Sequence, residues 1–210
     1  MKIIVLASQK GGVGKTTLSG HLSVQASLNG AKVALIDTDP QGSLSAWWNA
    51  RKSEQPVFVS SSIPSIKNDI ARLKQARFDY LIVDTPPAVT ETIKSVVQIA
   101  DLVVIPTRPS PHDLRAVGAT VDLVNDCGKK MIFVINGAAH RARITADAAI
   151  ALSQHGAVCQ TVVYQRTDFA SSMIDGRTVQ ELDSSSKSAL EIEAVWNYVN
   201  TYLRKESARG

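Results

Sequence analysis

Residues Gln9 to Thr17 read QKGGVGKTT and stand between a short apolar run, Ile3 to Ala7, and an amphipathic segment, Leu18 to Leu28. This placement limits the possible folds more than any other feature of the chain. A glycine-rich loop that leaves a strand and opens a helix turns its backbone N–H groups inward, and the helix dipole adds positive potential at the same point, so phosphate oxygens are bound there. Gly11, Gly12 and Gly14 allow that curl. The cradle is expected to comprise Gly11, Gly12, Val13, Gly14, Lys15, Thr16 and Thr17. Lys15 is expected to reach the β- and γ-phosphates of ATP and to serve catalysis, while the Thr16 hydroxyl faces Mg²⁺, a cation that keeps most of its waters and bridges the phosphates. The strict GxxxxGK[ST] pattern fails at its first position, where Gln9 stands, so the loop is a variant P-loop.

The rest of the chain supplies the setting such a loop needs. Ile3 to Ala7, Lys32 to Ile36, Tyr80 to Val83, Leu102 to Ile105, Met131 to Ile135 and Val158 to Val163 read as strands, with helical segments between them. Runs as apolar as LIVD and LVVIP suit strands covered on both faces, and the alternation predicts a doubly wound α/β domain, a mainly parallel sheet with helices on both sides. No repeat, low-complexity tract or shift of composition marks a second unit, and residues 1–210 are read as one domain.

Two carboxylates follow the second strand in Asp37-Thr38-Asp39-Pro40-Gln41-Gly42-Ser43, at a strand end, where ligands of such sheets bind. An acidic side chain near the terminal phosphate orients or deprotonates the attacking water. Turn formation and helix capping are the alternative uses of both aspartates. A third carboxylate closes the apolar run Leu81-Ile82-Val83-Asp84 before Thr85-Pro86-Pro87, the form of a Walker B segment, and Asp84 is expected to hold Mg²⁺ through water.

The KGGxGKT loop with its additional Lys10 resembles the deviant Walker A motif of the ParA/MinD group of P-loop NTPases. The resemblance continues through DTDPQG, LIVDTPP and Ala100-Asp101-Leu102-Val103-Val104-Ile105-Pro106-Thr107-Arg108-Pro109-Ser110 to the strand ending at Asn136. It implies a homodimer with two ATP molecules sandwiched between protomers, in which Lys10 reaches the partner's nucleotide and assists hydrolysis. It assigns Asp39 to the catalytic water, and Asp37 to the metal side or to a structural partnership. Asn136 is placed by it on the adenine, and the Tyr164 to Phe169 loop across the base. The same resemblance implies a slow, partner-stimulated ATPase that partitions or positions DNA or another cargo on non-specific double-stranded DNA, with a ParB-type or cargo adaptor as partner.

Composition sets limits on these implications. A net charge of +4 and 44% hydrophobic residues describe a soluble globular chain, and the basic surplus is concentrated in neither half. No apolar run approaches the roughly 20 residues that cross a bilayer, which predicts a cytoplasmic protein; the resemblance implies association with the nucleoid in the ATP state. The first strand begins too early for a preceding helix-turn-helix reading head. Arg141, Arg143, Arg166, Arg177, Lys187, Arg204 and Lys205 are the candidate DNA contacts, because they follow the expected nucleotide face in sequence. A membrane-bound positioning protein of the MinD kind would need a basic amphipathic tail. The Leu190, Val195, Trp196, Val199, Tyr202 and Leu203 stripe reads instead as a helix packed on the sheet, with no stable anchor. Metabolic relatives fit less well. Cys127 and Cys159 lack a cluster-binding position, and no carbonyl-substrate site for a ligase is legible.

Overall fold

The computed structural model describes residues 1–88 and 90–207, the last two by their backbone alone. Along the chain run β1 (Lys2–Leu6), α1 (Lys15–Leu28), β2 (Val33–Asp37), α2 (Ser43–Asn49), β3 (Val57–Phe58), α3 (Ile66–Gln75), β4 (Tyr80–Asp84) and α4 (Glu91–Gln98). They are followed by β5 (Leu102–Thr107), α5 (Pro111–Asp126), β6 (Met131–Ala138), α6 (Ile144–Ser153), β7 (Ala157–Val158), β8 (Val163–Tyr164), α7 (Thr167–Met173), α8 (Val179–Leu182) and α9 (Lys187–Ser207).

Among the described residues the sheet order is β3-β2-β4-β1-β5-β6-β7, with β8 paired to β6, and every pairing is parallel. The expected doubly wound α/β architecture is the observed one. Period two explains why the strands read as continuous apolar runs. Ile3, Val5, Leu81, Val83, Val103 and Ile105 face a core built with α3, α4, α5 and α6, whereas Ile4, Leu6, Ile82, Leu102 and Val104 face one built with α1, α2 and α9.

Register positions the site. Leu6 pairs with Asp84, Asp84 with Asp37, and Thr107 with Ile135, so the loop after β1, both aspartate-bearing strand ends and the segments after β5 and β6 emerge at one edge. The strand order divides at β1: β4 and β2 lie on one side, β5 and β6 on the other. Such a division opens a crevice at the carboxyl ends of the strands.

Three expectations need correction. The run Val158 to Val163 is not one strand but two. β7 pairs with Ile132 and Phe133 of β6, β8 pairs with Asn136 and Ala138, and residues 159–162 between them belong to neither strand; the register shift around Gly137 at φ +65° lies inside the β8 pairing. α1 is buried almost all round rather than amphipathic. Its small residues permit this: a Cβ on Gly20 would stand 3.4 Å from Trp47 and 3.5 Å from Met173, both packed against the helix. In α9 the buried stripe is Ala189, Ile192, Val195, Trp196, Val199 and Leu203, while Leu190 is 51% exposed. Each large side chain in that stripe contributes about 1.5–3 kcal/mol by burial, so α9 is a docked helix, as expected.

The close packing of α1 creates a titratable position. His21 is fully buried; its Nδ1 lies 2.8 Å from the Thr17 carbonyl and its ring meets Phe169 edge-on at 5.3 Å. Burial pushes its pKa down to about 4, against the Thr17 carbonyl and the Glu181 carboxylate and with help from Arg51. Unfolding returns the imidazole to its ordinary value near 6.5. The stability tied to the neutral ring is therefore full above pH 6.5 and is lost as pH falls toward 4, amounting to about 2 kcal/mol between pH 7 and pH 5. Urea unfolding at those two pH values should show a larger acid-side loss in the wild type than in His21→Gln. Equal losses would contradict this account.

Candidate functional site

β1 delivers the chain into the Ser8–Gly14 loop, which curls through left-handed backbone at Gly12 (φ +73°) and Gly14 (φ +95°) before α1 begins. Gly14 is required twice: by its φ, and because a Cβ there would stand 2.1 Å from Asn136 Nδ2. Nothing lies within 4 Å of a Cβ on Gly12, whose backbone borders open space. Val13 is buried and anchors the loop, and its carbonyl accepts a 2.6 Å hydrogen bond from Asn136 Nδ2. The first N–H groups of α1, from Lys15, Thr16 and Thr17, have no intrahelical acceptor and face the cleft end of the helix.

Lys15 is buried at this end, its Nζ donating to the Lys10 carbonyl at 3.3 Å. Burial lowers its pKa, while the charges of Asp84 and Asp39 oppose the shift. The Lys10 backbone therefore positions the loop lysine, whereas the Lys10 side chain is exposed and makes no side-chain contact among the described residues.

Asp84 is 1% exposed and accepts from Thr16 Oγ1 at 2.6 Å and Ser19 Oγ at 3.1 Å. Burial pushes its carboxyl up to about 7, with the two hydroxyls and Lys15 pulling it down and Asp37 adding to the rise. A buried carboxylate beside a helix-terminal hydroxyl is a hard-oxygen donor pair. Among the described residues no group of three or more His, Cys, Asp or Glu side chains gathers to hold a metal by itself. The residues present thus fit an Mg²⁺ that takes the rest of its shell from water and phosphate.

Asp37 has a different occupation. Its Oδ1 accepts from the Asp39 N–H at 3.0 Å, and its Oδ2 from the Ser45 N–H at 3.0 Å and the Ser45 hydroxyl at 3.2 Å. These bonds fix the loop that carries Asp39 to the start of α2. Asp39 is half-buried and lines the cleft, with Oδ1 taking the Gln41 N–H at 2.9 Å. Thr38 stitches this loop to the end of β4, its N–H and hydroxyl both reaching the Asp84 carbonyl at 3.0 and 2.7 Å. Pro87, in the Thr85–Pro87 turn, stands beside Gly11, 3.8 Å from where a Cβ on that glycine would lie.

The cleft over this loop has a volume of about 790 Å³. Its β5/β6 side is walled by Arg108, Asn136 and Gly137 and by Tyr164, Gln165, Arg166 and Phe169, the segment that β8 lifts into place. Tyr164 stacks on His140 at 4.5 Å, and Glu191 of α9 holds the wall by pairing with Arg166 at 2.5 Å and accepting the Tyr164 N–H at 3.1 Å. Asn136 is at this wall, with its amide bonded to the loop.

The CobQ/CobB/MinD/ParA nucleotide-binding domain matches residues 4–179, which contain the loop, all three aspartates and the β6 wall. The chain belongs to that family. Among its relatives, maintenance of carboxysome distribution protein A of Halothiobacillus neapolitanus is 31% identical over 208 residues, spanning 93% of this chain and 95% of that protein. Protein ParA of Rhizobium radiobacter is 30% identical over 126 residues, 59% of this chain and 56% of its own length. The fold is also that of apo McdA from Cyanothece, with a TM-score of 0.78 at 21% identity, covering 95% of this chain and 99% of that one.

In this CobQ/CobB/MinD/ParA domain the seven basic candidates do not gather on one face. Arg166 is spent on Glu191, and Arg177 is paired with Asp175 at 2.6 Å. Arg141, Arg143 and Lys187 are exposed on the segments after β6 and at the start of α9, toward the site edge. Arg204 and Lys205 lie at the far end of α9, where Asn200 meets Tyr80 at the opening of β4, the opposite edge of the sheet. Sequence order could not separate these ends, because a helix of 21 residues spans about 30 Å. Arg108, Gly137, Trp47 and the α7 residues Ala170 and Met173 also line the cleft and were not singled out in the sequence. The Asn-Gly pair at 136–137 was the available signal, since glycine beside a strand end marks a close approach.

Proposed function

We propose that the chain is an ATP-driven dimerising switch that positions or partitions a cargo, with Mg²⁺ held at Thr16 and Asp84. The observation that supports this reading best is the second loop lysine. Lys15 is drawn into the cleft, whereas the Lys10 side chain stands exposed beside it with no hydrogen-bond acceptor among the described residues, available to a phosphate presented by another protomer. Mg²⁺ supplies charge neutralisation at the terminal phosphates when bound. Lys15 then holds the terminal phosphate oxygens, and Asp39, fixed by Asp37 and Gln41, orients the water. Asn136 and the Tyr164–Phe169 wall receive the base.

The surface it works on is read as double-stranded DNA, without sequence preference. Arg141, Arg143 and Lys187 make no ion pair among the described residues and are exposed toward the site edge, and two protomers joined there would double that charge and the counterions it releases. Arg166 and Arg177 are weaker contributors because acidic partners neutralise them. A membrane role would require α9 to leave its packing, and no helix among the described residues is long and apolar enough to cross a bilayer. The cargo is read as an intracellular body or DNA, reached through an adaptor that stimulates hydrolysis, in the cytoplasm and on the nucleoid; the similarity to a carboxysome-distribution protein and to a ParA protein supports this reading.

Binding of unrelated DNA duplexes at two salt concentrations, with ATP or with ADP, tests the surface. ATP-dependent binding is expected to fall with salt, and the triple substitution of Arg141, Arg143 and Lys187 to alanine is expected to weaken all duplexes equally. Binding to anionic vesicles without DNA binding would contradict the DNA reading.

A further inference from the structure

Three cations line the cleft, Lys15, Arg108 and Arg166, and two of them have evident work. Lys15 lies under the charges of Asp84 and Asp39, on the β4/β2 side, and Arg166 is held by Glu191. Arg108 follows β5 directly and is exposed; its side chain makes no ion pair or hydrogen bond among the described residues. Its stem lies over Gly137, where a Cβ would stand 3.4 Å from Arg108 Nε and 3.7 Å from its Cγ. The left-handed glycine thus leaves the space through which this side chain passes into the cleft.

Position then selects the anion. Strand order puts the carboxylates and Lys15's partners on one side of β1, and Arg108, Asn136 and the aromatic wall on the other. A nucleotide lying in the cradle with its terminal phosphate toward Asp39 has its inner phosphate and ribose toward Arg108. A guanidinium stays charged at all working pH values and offers two parallel N–H donors that match phosphate oxygens. We propose that Arg108 binds the nucleoside-proximal phosphate of the nucleotide held by its own chain, which extends the loop's cradle across β5. The inference rests on the nucleotide reading given above.

Calorimetric titration of the full chain with Mg-ATP and with Mg-ADP tests it, using the wild type, Arg108→Ala, Arg108→Lys and Lys15→Ala. Because the inner phosphate is common to both nucleotides, Arg108→Ala should weaken both by a similar factor, roughly ten- to hundredfold. Arg108→Lys should recover part of the loss, and the melting temperature without nucleotide should not move. A loss confined to ATP would overturn the proposal by sending the guanidinium to the terminal phosphate or to a second protomer. Unchanged affinity in Arg108→Ala alongside lost affinity in Lys15→Ala would overturn it while leaving the nucleotide reading intact, as would an affinity loss that tracks a lowered melting temperature. A wild-type chain that binds neither nucleotide would remove both.

Discussion

Lys15→Ala or Lys15→Gln is expected to lower affinity for Mg-ATP by at least about a hundredfold, because a charged donor to two phosphates is worth roughly 3–6 kcal/mol. The position makes the loss hard to repair. Lys15 is buried and held by the Lys10 carbonyl, so no neighbouring cation can swing into its place; Lys10 points outward and Arg108 lies across β1. The fold should survive, since the cleft carboxylates Asp39 and Asp84 lose a counter-charge but keep their hydrogen bonds to Gln41, Thr16 and Ser19. Calorimetry alongside a thermal melt separates the two effects. Undiminished affinity in a folded Lys15 variant would remove the phosphate cradle from the account.

Asp39→Ala should leave ATP binding close to wild type and reduce turnover about 10²- to 10⁴-fold, the range over which a positioned general base or water-orienting group acts. The loop itself should persist. Asp37 retains the Ser45 contacts and the backbone N–H of residue 39, so only the Gln41 contact is lost. Slow hydrolysis with intact binding should accumulate the ATP-bound dimer. Asp37→Ala is expected to behave differently, losing loop order and binding together, because its oxygens hold the loop and the start of α2. Phosphate release and ATP affinity measured on both variants distinguish these outcomes; an Asp39→Ala chain that hydrolyses at the wild-type rate would transfer the water to another residue.

The phosphate loop and Asp84 were legible in the sequence because each is a local pattern whose geometry follows from its own residues: glycines where φ turns positive, an aspartate where an apolar strand ends. The sheet was legible for the same reason, since strands buried on both faces cannot alternate. What escaped depended on contacts between distant segments. Residues 159–162 leave the strand and divide Val158–Val163 between two pairings with β6, which no reading of that run alone contains. The replacement of Leu190 by Ile192 in the buried face of α9 follows from how that helix lies on α1 and the sheet. The pairing of Arg166 with Glu191, 25 positions away, weakens one DNA candidate for a reason absent from the local sequence. The partnership of Asp37 with Ser45, eight residues on, was likewise not visible in the local sequence.

If the terminal phosphate decides whether two chains associate, light scattering of the purified protein with Mg-ATP, with Mg-ADP and without nucleotide will show it. A mass of two chains is expected with ATP and of one chain in the other two conditions, with a persistent dimer for Asp39→Ala with ATP and a weakened one for Lys10→Ala. A mass that is the same in all three conditions, whether one chain or two, would contradict the dimerising switch.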